Sequence, residues 1–239
     1  NVIIYKNSIG ETEELIFDAL LLAVGRKSNT TGIGLENLNI NLSSNGSIEV
    51  NKYLQTNIKN IYACGDVIDS YKFTHVASFE AWFASVNSLF GLFKKFAINY
   101  SVIPWATFTD PEVARVGLNE QQAQQENIKY ELTQYDITDL DRAITDDEDY
   151  GFVRVLTKKG TDKIIGVTIV GYHASEIIAE YVLAMKHKIG LNKILSTIHI
   201  YPTYSEANKY TAGVWKRAHT SHKLLSFVGK FHNWMRGKK

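Results

Sequence analysis

Ile61-Tyr62-Ala63-Cys64 is an uninterrupted apolar run, preceded by Thr56 and closed by Gly65-Asp66, and no other segment limits the possible folds so tightly. A run that is apolar at every position, rather than at alternate ones, reads as a strand buried on both faces. Gly65 frees the backbone for a tight turn, and Asp66 emerges where the strand stops. In open α/β sheets ligands gather at the carboxyl ends of strands, so a carboxylate there can accept hydrogen bonds from polyol or ribose hydroxyls. An ordinary strand followed by a Gly-Asp turn accounts for the same residues equally well.

The flanking segments narrow the choice. Phe17 to Val24 is a second apolar run, closing on Gly25-Arg26, and Gly46 to Val50 reads as a short strand after a turn. Phe73-Thr74-His75-Val76-Ala77 opens a helical stretch running to about Lys95. This order and spacing resembles the pyridine nucleotide-disulfide oxidoreductases, the flavoenzyme family of glutathione reductase, dihydrolipoamide dehydrogenase and mercuric reductase. The similarity extends from about Phe17 to Lys216.

The resemblance implies FAD and NAD(P)H as cofactors of the full-length protein, not retained by this chain alone. It places Gly65 and Asp66 at the ribityl chain of FAD. Thr74, His75, Val76 and Ala77 match the segment that points a helix amino terminus at the flavin pyrimidine ring, where backbone N–H groups and the positive helix end stabilise developing negative charge. His75 stands where proline is commonest in the family, so a capping or core role for it stays open.

The chain has 239 residues, 45% of them hydrophobic, enough for one large or two small cores. Its sixteen glycines never fall in the Gly-x-Gly-x-x-Gly pattern of a dinucleotide fingerprint. Cys64 is the single cysteine, so the redox pair of the family has no internal counterpart. The expectation is therefore the C-terminal portion of a longer enzyme. Its fold class would be α/β and α+β: the end of doubly wound nucleotide-binding domains, then an α+β interface domain with an antiparallel sheet. Residues 1–26 would close the NAD(P)-binding domain, 27–103 would be the returning segment of the FAD-binding domain, 104–215 the interface domain and 216–239 a basic amphipathic tail.

Pro104 reads as part of a linker. Beyond it, Trp105 to Thr109 alternates like a strand, Asp110-Pro111-Glu112 turns, and Val113 to Leu118 returns. Asn119 to Ala123 starts a helix with a capping residue and an acidic first turn. Gly151 to Thr157 and Lys163 to Val170 flank a hairpin-like turn, and Ala174 to His187 carries Ile177, Ile178, Tyr181, Val182 and Met185 at helical spacing. Thr109 to Leu118 resembles the family's interface-domain signature, which implies a homodimer through residues 104–215.

His199-Ile200-Tyr201-Pro202-Thr203-Tyr204-Ser205-Glu206 carries the chemistry of that domain. Many relatives have a histidine where Tyr201 stands, with a glutamate at the place of Glu206 that orients it, so the resemblance implies Tyr201 and Glu206 as catalytic residues. A tyrosine with pKa ~10 cannot replace a histidine of pKa ~6.5 as a base at neutral pH. It can donate a hydrogen bond or stabilise a thiolate. Tyrosine at this place, with Asp141-Arg142-Ala143 and Gly151-Phe152-Val153, makes the chain most similar to the mercuric reductase-like branch. The C-terminal cysteine pair that delivers a soft metal there has no counterpart after Cys64. The function expected is FAD-dependent transfer from NAD(P)H to a disulfide or small-molecule acceptor. The alternatives are a mercuric-ion reductase lacking its cysteine pair or, for the isolated chain, a non-catalytic dimerisation module. His199 is a substitute base two residues upstream or a structural residue at a helix end.

The remaining histidines lack metal-ligand spacing, so no metal is expected. Asp139, Asp141, Asp146, Asp147, Glu148 and Asp149 read as a solvated, mobile connection. After Glu206 there is no acidic residue, while Lys209, Lys216, Arg217, Lys223, Lys230, Arg236, Lys238 and Lys239 accumulate. Leu224, Leu225, Phe227, Val228, Phe231 and Trp234 recur at helical intervals among them. Such a helix can make peripheral membrane contact through residues 224–239, or pack on a partner subunit or other domains. A net charge of +1 and dispersed aromatics give no nucleic-acid signal. Scarce cysteine and the flavin-family resemblance imply a cytoplasmic location, with membrane association of the full-length protein open.

Overall fold

The computed structural model describes residues 1–237 and divides into two compact units, Asn1–Ile98 and Asn99 onward. Of the tail, Lys238 and Lys239 lie outside the described residues.

In the first unit β1 (Val2–Lys6) and β2 (Thr12–Ile16) form an antiparallel hairpin. Asn7 closes it, its side-chain oxygen accepting the backbone N–H groups of Ile9 and Glu11. The strand expected over Phe17 to Val24 does not form; Leu21, Leu22 and Val24 are exposed. An apolar run becomes a strand only beside another that takes its N–H and C=O groups, and none of the described residues lies in register with it. The runs at 46–50 and 61–64 are likewise not ladder strands. Ile48 makes single bridges to Leu42 and Ile68, and Tyr62 one to Gln55. Their apolar side chains are still used: Ile40, Ile48, Leu54, Ala63, Ile68 and Ala84 make a small core. α1 (Thr74–Phe90) supplies Ala84 to it. This helix starts where the sequence indicates but stops short of Lys95, because Asn87 accepts the Phe96 N–H at 2.8 Å and donates to the Tyr53 and Phe96 carbonyls, folding the chain back.

The second unit is built on five antiparallel strands: β3 (Pro104–Thr107), β4 (Val113–Gly117), β5 (Tyr130–Asp136), β6 (Phe152–Lys158) and β7 (Ile164–Val170). Their order is β3-β4-β7-β6-β5. Pro104 opens edge strand β3 instead of a linker, a place where a missing N–H breaks no ladder. Gly166 in β7 lies against the Leu118 backbone, where a Cβ would come within 1.8 Å of its carbonyl oxygen. Only glycine permits that crossing.

Asn119 caps α2 (Glu120–Gln125) through a reciprocal box with Gln122. The acidic segment expected to be a mobile connection is ordered: it forms a 3-10 turn, Ile137–Asp139, and α3 (Asp141–Thr145). The single helix expected over 174–187 is divided into α4 (Ala174–Ile177) and α5 (Ala179–Lys186). The division is slight, since Val182 N–H still reaches the Ile178 carbonyl at 3.1 Å. α6 (Leu191–Leu195), α7 (Glu206–Ala218) and α8 (His222–Met235) follow. One sheet face buries Val116, Val153, Val155 and Ile169 against Ile177, Tyr181, Leu191 and Trp215 from the helices. Among the described residues no helix is long and apolar enough to cross a membrane.

Ile169 is fully buried at the centre of this sheet. Ile169→Ala is expected to destabilise the second unit by about 2 to 5 kcal/mol, read as a lowered urea midpoint.

Candidate functional site

Two constellations carry the polar groups singled out in the sequence, one in each unit. In the first, Gly65 begins a 3-10 turn, Gly65–Val67, at φ +77, and a Cβ there would meet the Ala77 Cβ at 3.3 Å. The turn is fastened to α1 by a buried carboxylate. Glu80, 0% exposed, accepts the Gly65 N–H at 2.6 Å and the Ser70 hydroxyl at 2.8 Å. Asp66 leaves the turn half-exposed, with Oδ2 held by the Arg26 guanidinium at 3.0 Å. Arg26 also donates to the Lys72 carbonyl, and Lys72 returns its ammonium to the Arg26 carbonyl. Ser28 steadies the same turn through the Asp66 carbonyl at 3.0 Å.

Oδ1 of Asp66 keeps acceptor capacity for hydroxyl groups. α1 begins at Thr74 without a side-chain cap, so its first turn presents backbone N–H groups and the positive end of the helix. Val76 is buried and Ala77 half-buried, while Thr74 and His75 are exposed. The exposed His75 ring stacks on Phe73 at 5.2 Å and 10°, outside the core. A polyol acceptor, a turn without a side chain and an uncapped helix start are the groups an FAD ribityl chain and pyrimidine edge require, and this donor set fits FAD. Burial, with the charge of Glu80 adding to it, pushes the Cys64 thiol up and away from the reactive thiolate.

The second constellation surrounds the turn before α7. Tyr201 is exposed and donates its hydroxyl to Asp141 Oδ2 at 2.9 Å. That bond and the Asp141 charge raise its pKa above the ordinary phenol value, so Tyr201 is a neutral donor. Glu206, the first residue of α7, is buried and does not orient Tyr201 directly. Its two oxygens accept the Thr203 N–H at 3.2 Å and the Tyr210 hydroxyl at 3.3 Å, closing the turn that carries Tyr201. Asp141, missed as a partner in the sequence, lies 60 residues from Tyr201 and left no local signal of the pairing.

Asp146 extends the cluster. Arg142 at 2.7 Å, with Tyr204 also donating at 3.1 Å, holds its carboxyl below the usual range. Burial and Asp146 push Tyr204 up to about 12, and burial with the nearby acids does the same to Tyr135. His199 is enclosed, its side chain 6% exposed. Its Nε2 meets Glu180 at 3.0 Å and its Nδ1 the Thr197 carbonyl at 3.1 Å. Asn208 on α7 donates to the same Glu180 at 2.8 Å. Through these two contacts His199 anchors the segment leading to Tyr201. Among the described residues no group of three or more His, Cys, Asp or Glu could hold a metal ion.

Residues 103–212 match the pyridine nucleotide-disulphide oxidoreductase dimerisation domain, and residues 4–81 match the pyridine nucleotide-disulphide oxidoreductase domain. Dihydrolipoyl dehydrogenase of Chlamydia pneumoniae is 37% identical over 190 residues, covering 80% of this chain and 41% of that protein. The mitochondrial enzyme of Caenorhabditis elegans is 38% identical over 198 residues, covering 83% and 39%. The chain thus spans about two-fifths of the length of the curated relatives it matches. These relatives support the family rather than its mercuric reductase-like branch in particular. Among solved structures, LpdA from Mycobacterium tuberculosis superposes with a TM-score of 0.78 at 25% identity, covering 91% of this chain and 46% of that one. The flavoprotein disulfide reductase RclA from Escherichia coli shares the fold, with a TM-score of 0.79 at 24% identity, covering 89% and 49%.

The raised phenols set an alkaline limit on stability. Unfolded tyrosines ionise near pH ~10, whereas Tyr135 and Tyr204 hold their protons to about 12. The folded state binds more protons in that window, so their contribution is whole below pH ~10 and is lost as pH rises toward about 12. Denaturant midpoints should fall across this window, and more shallowly in Tyr135→Phe.

Proposed function

The chain belongs to the pyridine nucleotide-disulphide oxidoreductase family, and on that premise we propose that it supplies one wall of an FAD site and the subunit interface of an NAD(P)H-using oxidoreductase whose acceptor is a disulfide or a related small molecule. The observation that carries this reading is the Gly65-Asp66 turn, fastened by buried Glu80 and presenting a carboxylate beside an uncapped helix start. In this arrangement Asp66 would accept hydroxyls of the ribityl chain, Gly65 would let the backbone approach closely, and Thr74, His75, Val76 and Ala77 would offer the helix N-terminus to the flavin ring. Bound FAD supplies two-electron transfer between the nicotinamide and the acceptor. Residues 1–26 correspond to the end of the NAD(P)-binding domain and 27–103 to the returning FAD segment. Residues 104–215 form the homodimer interface.

Tyr201 is offered at the acceptor site as a proton-holding donor. Asp141 orients its hydroxyl and keeps the proton on Oη at neutral pH, so Tyr201 stabilises negative charge developing on an acceptor atom and does not abstract protons. Glu206 holds the turn that aims it. The dihydrolipoyl dehydrogenase relatives favour a dithiol-disulfide acceptor over mercuric ion.

The two half-reactions separate these roles. In the full-length, flavin-loaded enzyme, Tyr201→Phe is expected to slow acceptor reduction about tenfold or more, with flavin reduction by the nicotinamide unchanged within about twofold in rapid-mixing absorbance. Equal loss in both half-reactions would remove Tyr201 from the acceptor site.

A further inference from the structure

We infer that α8 is a membrane-surface helix, which seats its apolar face in an anionic phospholipid bilayer while its lysines and arginine hold the headgroups. This inference is independent of the flavin reading and of Tyr201.

The helix has the composition of an interfacial segment and not of a packed one. Leu225, Phe227, Val228, Phe231, Trp234 and Met235 are all between 40% and 75% exposed. At 3.6 residues per turn they fall on one side of α8, opposite Ser226, Gly229 and Asn233. An exposed apolar face of this size, with three aromatic rings, marks an interaction surface. Neither sheet nor helix of the second unit provides one, since these side chains stay exposed in the folded chain.

Charge selects the cover. No acidic residue follows Glu206. Lys223 and Lys230 stand two turns apart along one border of the apolar arc, and with Ser226 and Phe227 they line a shallow open cleft. Arg236, in the turn just past α8 with its N–H on the His232 carbonyl at 3.1 Å, continues the helical spacing to the opposite border. Long basic side chains at the borders can keep their charges at the headgroup level while their stems run along the apolar face. A phosphate held by Lys223 and Lys230 would sit in the cleft that Phe227 also lines. A protein partner would be met by an apolar stripe with a mixed or acidic-complementary rim, whereas an entirely basic rim with aromatic and leucine residues matches the anionic lipid surface. Lys238 and Lys239 add two further charges just beyond the described residues.

The inference is tested on the whole 239-residue chain by co-sedimentation with phosphatidylcholine vesicles, with and without about one-third phosphatidylserine. The expected result is partitioning at least about tenfold stronger to the phosphatidylserine vesicles, weakened by salt. Lys223→Glu/Lys230→Glu should reduce it by about tenfold or more, and Phe227→Ser/Trp234→Ser should abolish it. These side chains are exposed, so circular dichroism and the thermal midpoint should stay unchanged. Equal affinity for both vesicles, binding to neither, or full binding by either folded variant would overturn the inference. So would a vesicle-independent dimer that Phe227→Ser/Trp234→Ser dissociates, because a second copy would then be the cover.

Discussion

Glu80 is the group on which the first unit's arrangement depends. It is a carboxylate without exposed surface, and burying such a group is costly unless donors surround it. The Gly65 N–H and the Ser70 hydroxyl are two of those donors. Through them one side chain of α1 fixes both ends of the 65–70 segment. Asp66 then stands at a defined point, and Arg26 takes one of its oxygens. Without Glu80 the buried Gly65 N–H would lose its acceptor, at about 1 to 3 kcal/mol, and the turn that carries Asp66 would lose its tie to the helix start.

The second unit solves a comparable problem with three carboxylates around the turn before α7, of which Glu206 is buried. Asp141, Asp146 and Glu206 take hydroxyl groups from Tyr201, Tyr204 and Tyr210, respectively. Negative charge surrounded by phenols keeps those phenols protonated. The outcome is a site rich in donors and poor in bases, which is the chemical meaning of a tyrosine at the place of Tyr201. The enclosed His199 is committed to Glu180 and Thr197; its imidazole serves the packing of α5 against the segment before α7.

Local signals in the sequence located what local forces decide. The Asn119 capping box, the hairpin turn after β6 and the start of α1 at Thr74 each depend on residues within a few positions of one another. The strands read at 17–24 and 61–64 required partners that periodicity cannot supply, and they appear as exposed chain and single bridges. Asp66 and Tyr201 were visible as site candidates, but their neighbours were not: Arg26 and Asp141 lie 40 and 60 residues away. Glu80 did leave a trace. It falls on the buried face of α1 with Val76, Ala84 and Asn87, and an acid on such a face signals a fixed partner.

The account turns on Asp66 as the acceptor for a bound polyol, and one binding constant addresses it directly. FAD affinity should be measured by flavin fluorescence titration for the full-length protein and for its Asp66→Ala variant, whose half-exposed side chain lies outside the core. Loss of a hydrogen bond to a charged acceptor weakens binding by about 1.5 to 3 kcal/mol, so the dissociation constant should rise roughly 10- to 150-fold with the thermal midpoint unchanged. An unchanged dissociation constant would contradict the assignment of this turn to the flavin.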